Sequence, residues 1–248
     1  MSRYVLISVL ICLCALSSCS NGSSENFGVV ESKYHVGDIV LNDGDYLRDV
    51  ESLNNNEKAK AIAVIFRVDG AKAYGVGLVH NKTGLAWCLQ SANAYNVRID
   101  KIESWLSGGG KGDDDGSDNL MEISNQLGPA NDDTGNSAKY PAFYFAKEYK
   151  GKNNNVVGTV YETGWYLPTL KELKYIWDSK EIVESGLSMC GENTFAGDFY
   201  WSSNQCSLRN DALLLCFSDG KWYANDKGKD FNYNGLSPKN NVCAIRQF

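Results

Sequence analysis

Ala61 to Val68 (AIAVIFRV) is an almost continuous apolar run with one charge, Arg67, near its end. Such a run suits a buried strand, and Asp69-Gly70 directly after it is a hairpin signal. Around it, His35 to Leu41 (HVGDIVL) alternates and turns at Asn42-Asp43-Gly44-Asp45, while Ala73 to Val79 (AYGVGLV) and Leu85 to Leu89 (LAWCL) read as further strands. Short sequential strands with tight turns predict an antiparallel sheet.

The middle of the chain changes character. Ser107 to Asp118 (SGGGKGDDDGSD) is a Gly- and Asp-rich loop, and helical patterns follow over Asn119 to Gln126 and Ala142 to Lys150. Thr169 with Glu172 three residues on is a capping box. Leu170, Leu173, Ile176 and Trp177 then recur at helical spacing and predict one apolar face. Strands return in the last fifty residues: Phe199 to Ser203 (FYWSS), Ala212 to Phe217 (ALLLCF), Lys221 to Asn225, and Val242 to Phe248 (VCAIRQF). Between the last two, Asp226 to Asn241 reads as loop surface.

The N-terminus sets the expected compartment. Arg3 precedes Tyr4 to Leu16, an uncharged apolar run. It would reach about 20 Å as a helix, short of the roughly 30 Å hydrocarbon core, so it reads as a signal-peptide h-region. Leu16-Ser17-Ser18-Cys19 is a lipobox. The reading predicts a signal peptide over 1–18, lipid on Cys19 in the cell envelope, with the outer membrane and the cell surface as its expected place, a flexible tether over 19–33, and one domain over 34–248.

Losing residues 1–18 removes one positive charge, Arg3, and leaves 23 basic against 30 acidic residues, a balance of −7. An acidic chain is a poor match for nucleic acid, whose phosphates need a basic face. Of eight cysteines, Cys12 and Cys14 leave with the signal and Cys19 carries lipid. Cys88, Cys190, Cys206, Cys216 and Cys243 remain, an odd and irregular set that is no disulfide framework. With only His35 and His80, and no C-x-x-C, a zinc site is not indicated. Asp113, Asp115 and Asp118 offer clustered oxygens that would suit calcium, although the spacing is not that of an EF-hand; the competing expectation is an Asx-rich turn capping the helix at Asn119. No other cofactor is expected. The chain lacks G-x-S-x-G, H-E-x-x-H and a Gly-rich phosphate loop, so it is not read as an enzyme.

The penultimate strand is anomalous. Leu213, Leu215 and Phe217 form one face at a period of two, yet the other face offers Leu214 and Cys216 where polar residues belong. Trp222, Tyr223, Phe231 and Tyr233 follow among Asn225, Asn232 and Asn234. Apolar side chains set among amides and aromatics have the composition of a recognition surface. The alternative is that both faces are buried.

Gly164-Trp165-Tyr166-Leu167-Pro168-Thr169, Tyr200-Trp201-Ser202-Ser203, Phe217-Ser218-Asp219-Gly220 and Val242-Cys243-Ala244-Ile245-Arg246-Gln247-Phe248 occur in a familiar order over about a third of the chain. They resemble the G-W-x-L-P-T, W-S-S, F-x-x-G and V-x-A-I-R-x-F blocks of C-type-lectin-fold proteins of the formylglycine-generating-enzyme type. More closely, the chain is similar to the variable proteins of diversity-generating retroelements. Two departures stand out: Ala212-Leu213 replaces an Ala-Trp pair, and the E-P-N, Q-P-D and W-N-D signatures of calcium-dependent sugar binding are missing.

The resemblance implies an α+β domain whose N- and C-terminal strands pair in a small antiparallel sheet flanked by two helices, near Ala142 and Thr169. It also implies a surface-displayed, hypervariable receptor or adhesin, monomeric, with a macromolecular ligand expected to be a protein. The candidate variable positions within 204–241 are Asn204, Cys206, Leu208, Asn210, Leu214, Cys216, Asp219, Trp222, Tyr223, Asn225, Phe231, Tyr233 and Asn234. The rival reading is a lectin-fold enzyme or maturation factor of the envelope.

Overall fold

The computed structural model describes residues 31–104, 112–195, 199–230 and 240–248. The expected signal segment over 1–18, Cys19 and most of the expected tether lie outside them. Among the described residues no helix is long and apolar enough to cross a membrane.

The chain is α+β with two sheets. The first has five antiparallel strands in the order β2-β1-β3-β4-β9: β1 Ile39–Leu41, β2 Tyr46–Leu47, β3 Ala61–Asp69, β4 Lys72–Gly77 and β9 Ile245–Gln247. The apolar run is therefore a central strand: β3 pairs Ile39 with Val64 on one side and Val76 with Val64 on the other, and Ala61 to Phe66 are all buried. The last strand closes the sheet, with Tyr74 opposite Gln247 and Val76 opposite Ile245. The first described strands, β1 and β2, and the last, β9, thus share one sheet, as the resemblance implies.

The second sheet has the order β7-β6-β5-β8, with β5 Phe199–Gln205, β6 Asp211–Cys216, β7 Trp222–Asp226 and β8 Asn240–Asn241. Its pairings are antiparallel except β5 with β8, where Phe199 and Tyr200 run parallel to Asn240 and Asn241. The helices are α1 Asn55–Lys60, α2 Asn119–Leu127, α3 Pro141–Lys147, α4 Leu170–Asp178 and α5 Lys180–Met189. The predicted capping box of α4 is formed: Thr169 Oγ1 accepts from Glu172 N–H at 3.1 Å, and Glu172 Oε2 accepts from Thr169 N–H at 2.8 Å. The same device at Asn54 and Glu57 starts α1, which the sequence reading passed over along with α5.

One expected strand is absent. Leu85 to Leu89 runs through the core without pairing as a strand, because its amides go to three different segments: Leu85 to Asn240 O, Cys88 to Lys227 O and Leu89 to Lys139 O. Its buried Trp87 donates from Nε1 to Ser202 O at 3.0 Å.

Two apolar cores flank the second sheet. One gathers Leu170, Leu173 and Ile176 of α4, Val183 and Leu187 of α5, and Leu213, Leu215 and Phe217. The other gathers Trp87, Ile99, Ile102, Phe143, Phe199, Leu214 and Cys216.

Candidate binding groove

β6 lies between those cores, and this decides the fate of the expected surface. Leu214 is fully buried and Cys216 is 4% exposed, so the polar-face anomaly marks a strand covered on both sides. Neither is a surface position. Cys206 and Asn225 are also buried. The Cys206 thiol accepts from the Leu208 N–H at 3.3 Å, and Asn225 Oδ1 accepts from the Asp226 N–H at 3.0 Å. Asn204 is an interior joint: its Oδ1 accepts the first amide of α4, Leu170 N–H, at 2.6 Å, while Nδ2 donates to Asp113 Oδ2 at 2.7 Å and Ile102 O at 3.1 Å. A buried amide with all three bonds made is a structural part, since leaving any of them unmade costs free energy.

The remaining candidates divide between two places. Leu208 and Asn210 sit in the β5–β6 turn, whereas Asp219 and Trp222 sit at the β6–β7 turn. The length of β6, about 17 Å at the usual rise per residue, separates the two turns. Leu208 is 59% and Trp222 44% exposed. Tyr223 is half-buried, edge-on to Phe199, and donates from its hydroxyl to Asp219 Oδ2 at 3.1 Å. Phe231, Tyr233 and Asn234 lie outside the described residues.

The acidic loop is used within the fold. Asp113 Oδ2 accepts from the side-chain amides of Asn119 and Asn204, each at 2.7 Å, and burial pushes its carboxyl up to about 6. Asp115 Oδ1 caps the 3-10 turn ahead of α2 by accepting from Ser117 N–H at 2.9 Å. Burial and the Asp115 charge raise the Asp118 carboxyl. Among the described residues no three His, Cys, Asp or Glu side chains are grouped to hold a metal ion. Asp115 fits the capping alternative, Asp113 joins Asn119 to Asn204, and Asp118, at the N-cap position of α2, makes no side-chain cap bond.

A concave site exists elsewhere, on residues the sequence reading did not single out for binding. A cavity of about 460 Å³ opens between α2, α3 and the segment Trp165-Tyr166-Leu167. Leu120, Met121 and Ser124 of α2 form one wall, and Phe143, Tyr144 and Lys147 of α3 the other. In each set two adjacent residues stand three and four positions before the third, which puts the set on one face. Met121 is 56% exposed at the rim.

The floor is stiff. Gly116 is packed so closely that a Cβ there would lie 2.4 Å from Leu167 O. Its N–H donates to Glu172 Oε2 at 3.2 Å. Tyr166 donates from its hydroxyl to Glu172 Oε1 at 2.9 Å. One buried carboxylate therefore ties the Gly116 loop, the Trp165–Leu167 segment and the start of α4 together. Burial pushes Glu172 up to about 7, and burial with the Glu172 charge raises Tyr166. Size, apolar walls and a few hydroxyls are the properties of a small-ligand or side-chain pocket.

The five described cysteines are all buried. Burial pushes the thiols of Cys88, Cys190 and Cys243 up to about 12, the opposite of an activated nucleophile.

No family model matches this chain, and no curated protein matches it in sequence. A solved structure described as a fimbrial protein from Bacteroides ovatus matches its fold with a TM-score of 0.54 at 14% identity, over 86% of this chain and 48% of the other. The chain thus spans about half the length of that neighbour. At this identity the likeness concerns the fold alone.

Proposed function

We propose that this chain is a ligand-binding lipoprotein of the cell envelope: anchored by lipid on Cys19, displaying a C-type-lectin-type domain, and binding in the groove between α2, α3 and Trp165–Leu167. The observation that supports it is the groove itself, an open apolar cavity of about 460 Å³ on a floor cross-tied by Glu172. A site whose walls are already ordered loses little entropy when it binds, so its contacts translate into affinity. The fimbrial neighbour is in keeping with a place at the cell surface. The test is an array of peptides, glycans and small organic ligands probed with the protein and with Ser117→Trp, which fills the groove from an exposed lining position. Ligands held by the protein and lost by Ser117→Trp support the reading; ligands that all ignore the substitution defeat it. The anchor is tested separately by labelling cells with an alkyne fatty acid, which should mark the protein and not its Cys19→Ser variant.

A second reading, diversification by a retroelement, is favoured by the exposure of Leu208 and Trp222 at the hairpin ends. On that reading variation is confined to exposed positions such as Leu208, Asp219 and Trp222 and the half-buried Asn210, because exchange at Asn204, Leu214 or Cys216 would disturb the interior. Its sign is a neighbouring near-copy of the gene's 3′ end that differs only at template adenines and leaves the buried codons unchanged. The enzyme alternative gains nothing from the raised thiols or from the groove, where no cysteine or histidine stands among the described lining residues.

A further inference from the structure

The groove carries information about the charge of what enters it. The chain is acidic, with 30 Asp and Glu against 24 Lys and Arg, yet among the described residues Lys147 is the one Lys, Arg, Asp or Glu lining this cavity. Lys147 is exposed at the end of α3, with its ammonium 5.1 Å from the centre of the Tyr144 ring. Tyr144 is held in turn by its hydroxyl, which donates to Thr134 O at 2.9 Å. Lys147 forms no ion pair among the described residues. The acidic groups acting on Tyr144 are Glu148, next to Lys147 in the chain, and Asp132. Asp132 is occupied: Oδ2 accepts from Ser124 Oγ at 2.7 Å, and Oδ1 accepts from Thr134 N–H at 2.9 Å and from Thr134 Oγ1 at 2.7 Å. Those donors engage the Asp132 carboxylate, and the Lys147 ammonium is the cation on the described lining of the cavity.

We infer that the groove takes a small organic anion, with an apolar ring or chain filling the cavity and one carboxylate at the mouth paired with Lys147. The inference rests on the proposed ligand-binding role of this groove and adds the chemistry of the ligand. The apolar walls supply most of the affinity by removing ligand surface from water. Lys147 supplies the preference for an anion and fixes which end of the ligand faces out.

The experiment is calorimetric titration of the protein with indole-3-butyrate and, separately, with its neutral amide. One molecule should bind per chain, and the acid should bind about two- to fivefold more tightly than the amide, the range expected of a solvent-facing ion pair. Lys147→Gln should erase that difference and Lys147→Arg should keep it. Met121→Glu, at an exposed rim position, should weaken the acid and leave the amide within about twofold, and added salt should shrink the preference. Equal binding of acid and amide, a preference that survives Lys147→Gln, or failure of both compounds to bind overturns the inference. Loss of array ligands in Ser117→Trp would still leave the groove a binding site in any of those cases, so the two readings fail separately.

Discussion

Leu213 and Leu214 are neighbours in the chain and belong to different cores: Leu213 packs with α4 and α5, Leu214 with Trp87 and Phe199, and both are fully buried. β6 is the plane where the two halves of the interior meet. Leu214→Ala should therefore cost about 2–5 kcal/mol, the range for a buried leucine that leaves a cavity. Urea denaturation measures it. A loss below about 1 kcal/mol would return Leu214 to the surface.

The opposite outcome is expected at the hairpin ends. Leu208→Ala and Trp222→Ala remove exposed side chains, so each should shift stability by no more than about 0.5 kcal/mol. The same denaturation series tests it, and a large loss at Trp222 would place that ring in the interior.

Lys227 is fully buried, and its ammonium donates to Arg209 O at 2.7 Å, Ala94 O and Gln205 Oε1 at 3.0 Å each, and Val97 O at 3.3 Å. Burial pushes it down to about 8. It clamps the 94–97 loop to the β5–β6 turn without a carboxylate. Lys227→Met removes a costly buried charge but orphans four acceptors, and the second effect should win, with a net loss of about 3 kcal/mol. An unchanged urea midpoint would show that the clamp is neutral.

Thr169 caps α4 from a fully buried position. Thr169→Ala should cost about 1–2 kcal/mol and Thr169→Ser much less, since the hydroxyl is the working group. Equal losses in the two variants would assign the effect to the lost methyl contact.

Glu172 makes stability depend on pH. Its proton is held to about 7 in the folded chain, against an ordinary value of 4.5. Between those values the folded state binds more protons than the unfolded one, so this group's contribution is full below about 4.5 and declines as pH rises through 7. Asp113, pushed up to about 6, acts with the same sign. The unfolding free energy of Glu172→Gln should fall less steeply between pH 5 and 7.5 than that of the parent chain. Parallel slopes would mean that Glu172 is ionised throughout.

Much of the frame was legible in the residues. The AIAVIFRV run, the Thr169 capping box and the closing strand at Ile245 each state a local preference strong enough to survive packing, and each formed where expected. The site was less legible. Period two along ALLLCF says which residues share a face, but not what stands opposite that face, so Leu214 reads equally as surface or interior. The groove was hidden for a related reason: Met121, Tyr144 and Tyr166 are far apart in the chain, and none carries a motif of its own.

What the sequence alone determined is the α+β character, the main strands and the caps, because these follow from backbone sterics, periodicity and hydrogen bonds a few residues apart. Only the tertiary structure decided that both faces of β6 are covered, that the acidic loop turns its carboxylates onto Asn119, Asn204 and Ser117, and that two helices and Trp165–Leu167 leave a groove between them. Burial is a property of what packs against a residue, and for β6 those partners stand well outside its own stretch of chain: Leu213 shares a core with Leu173, and Leu214 with Trp87.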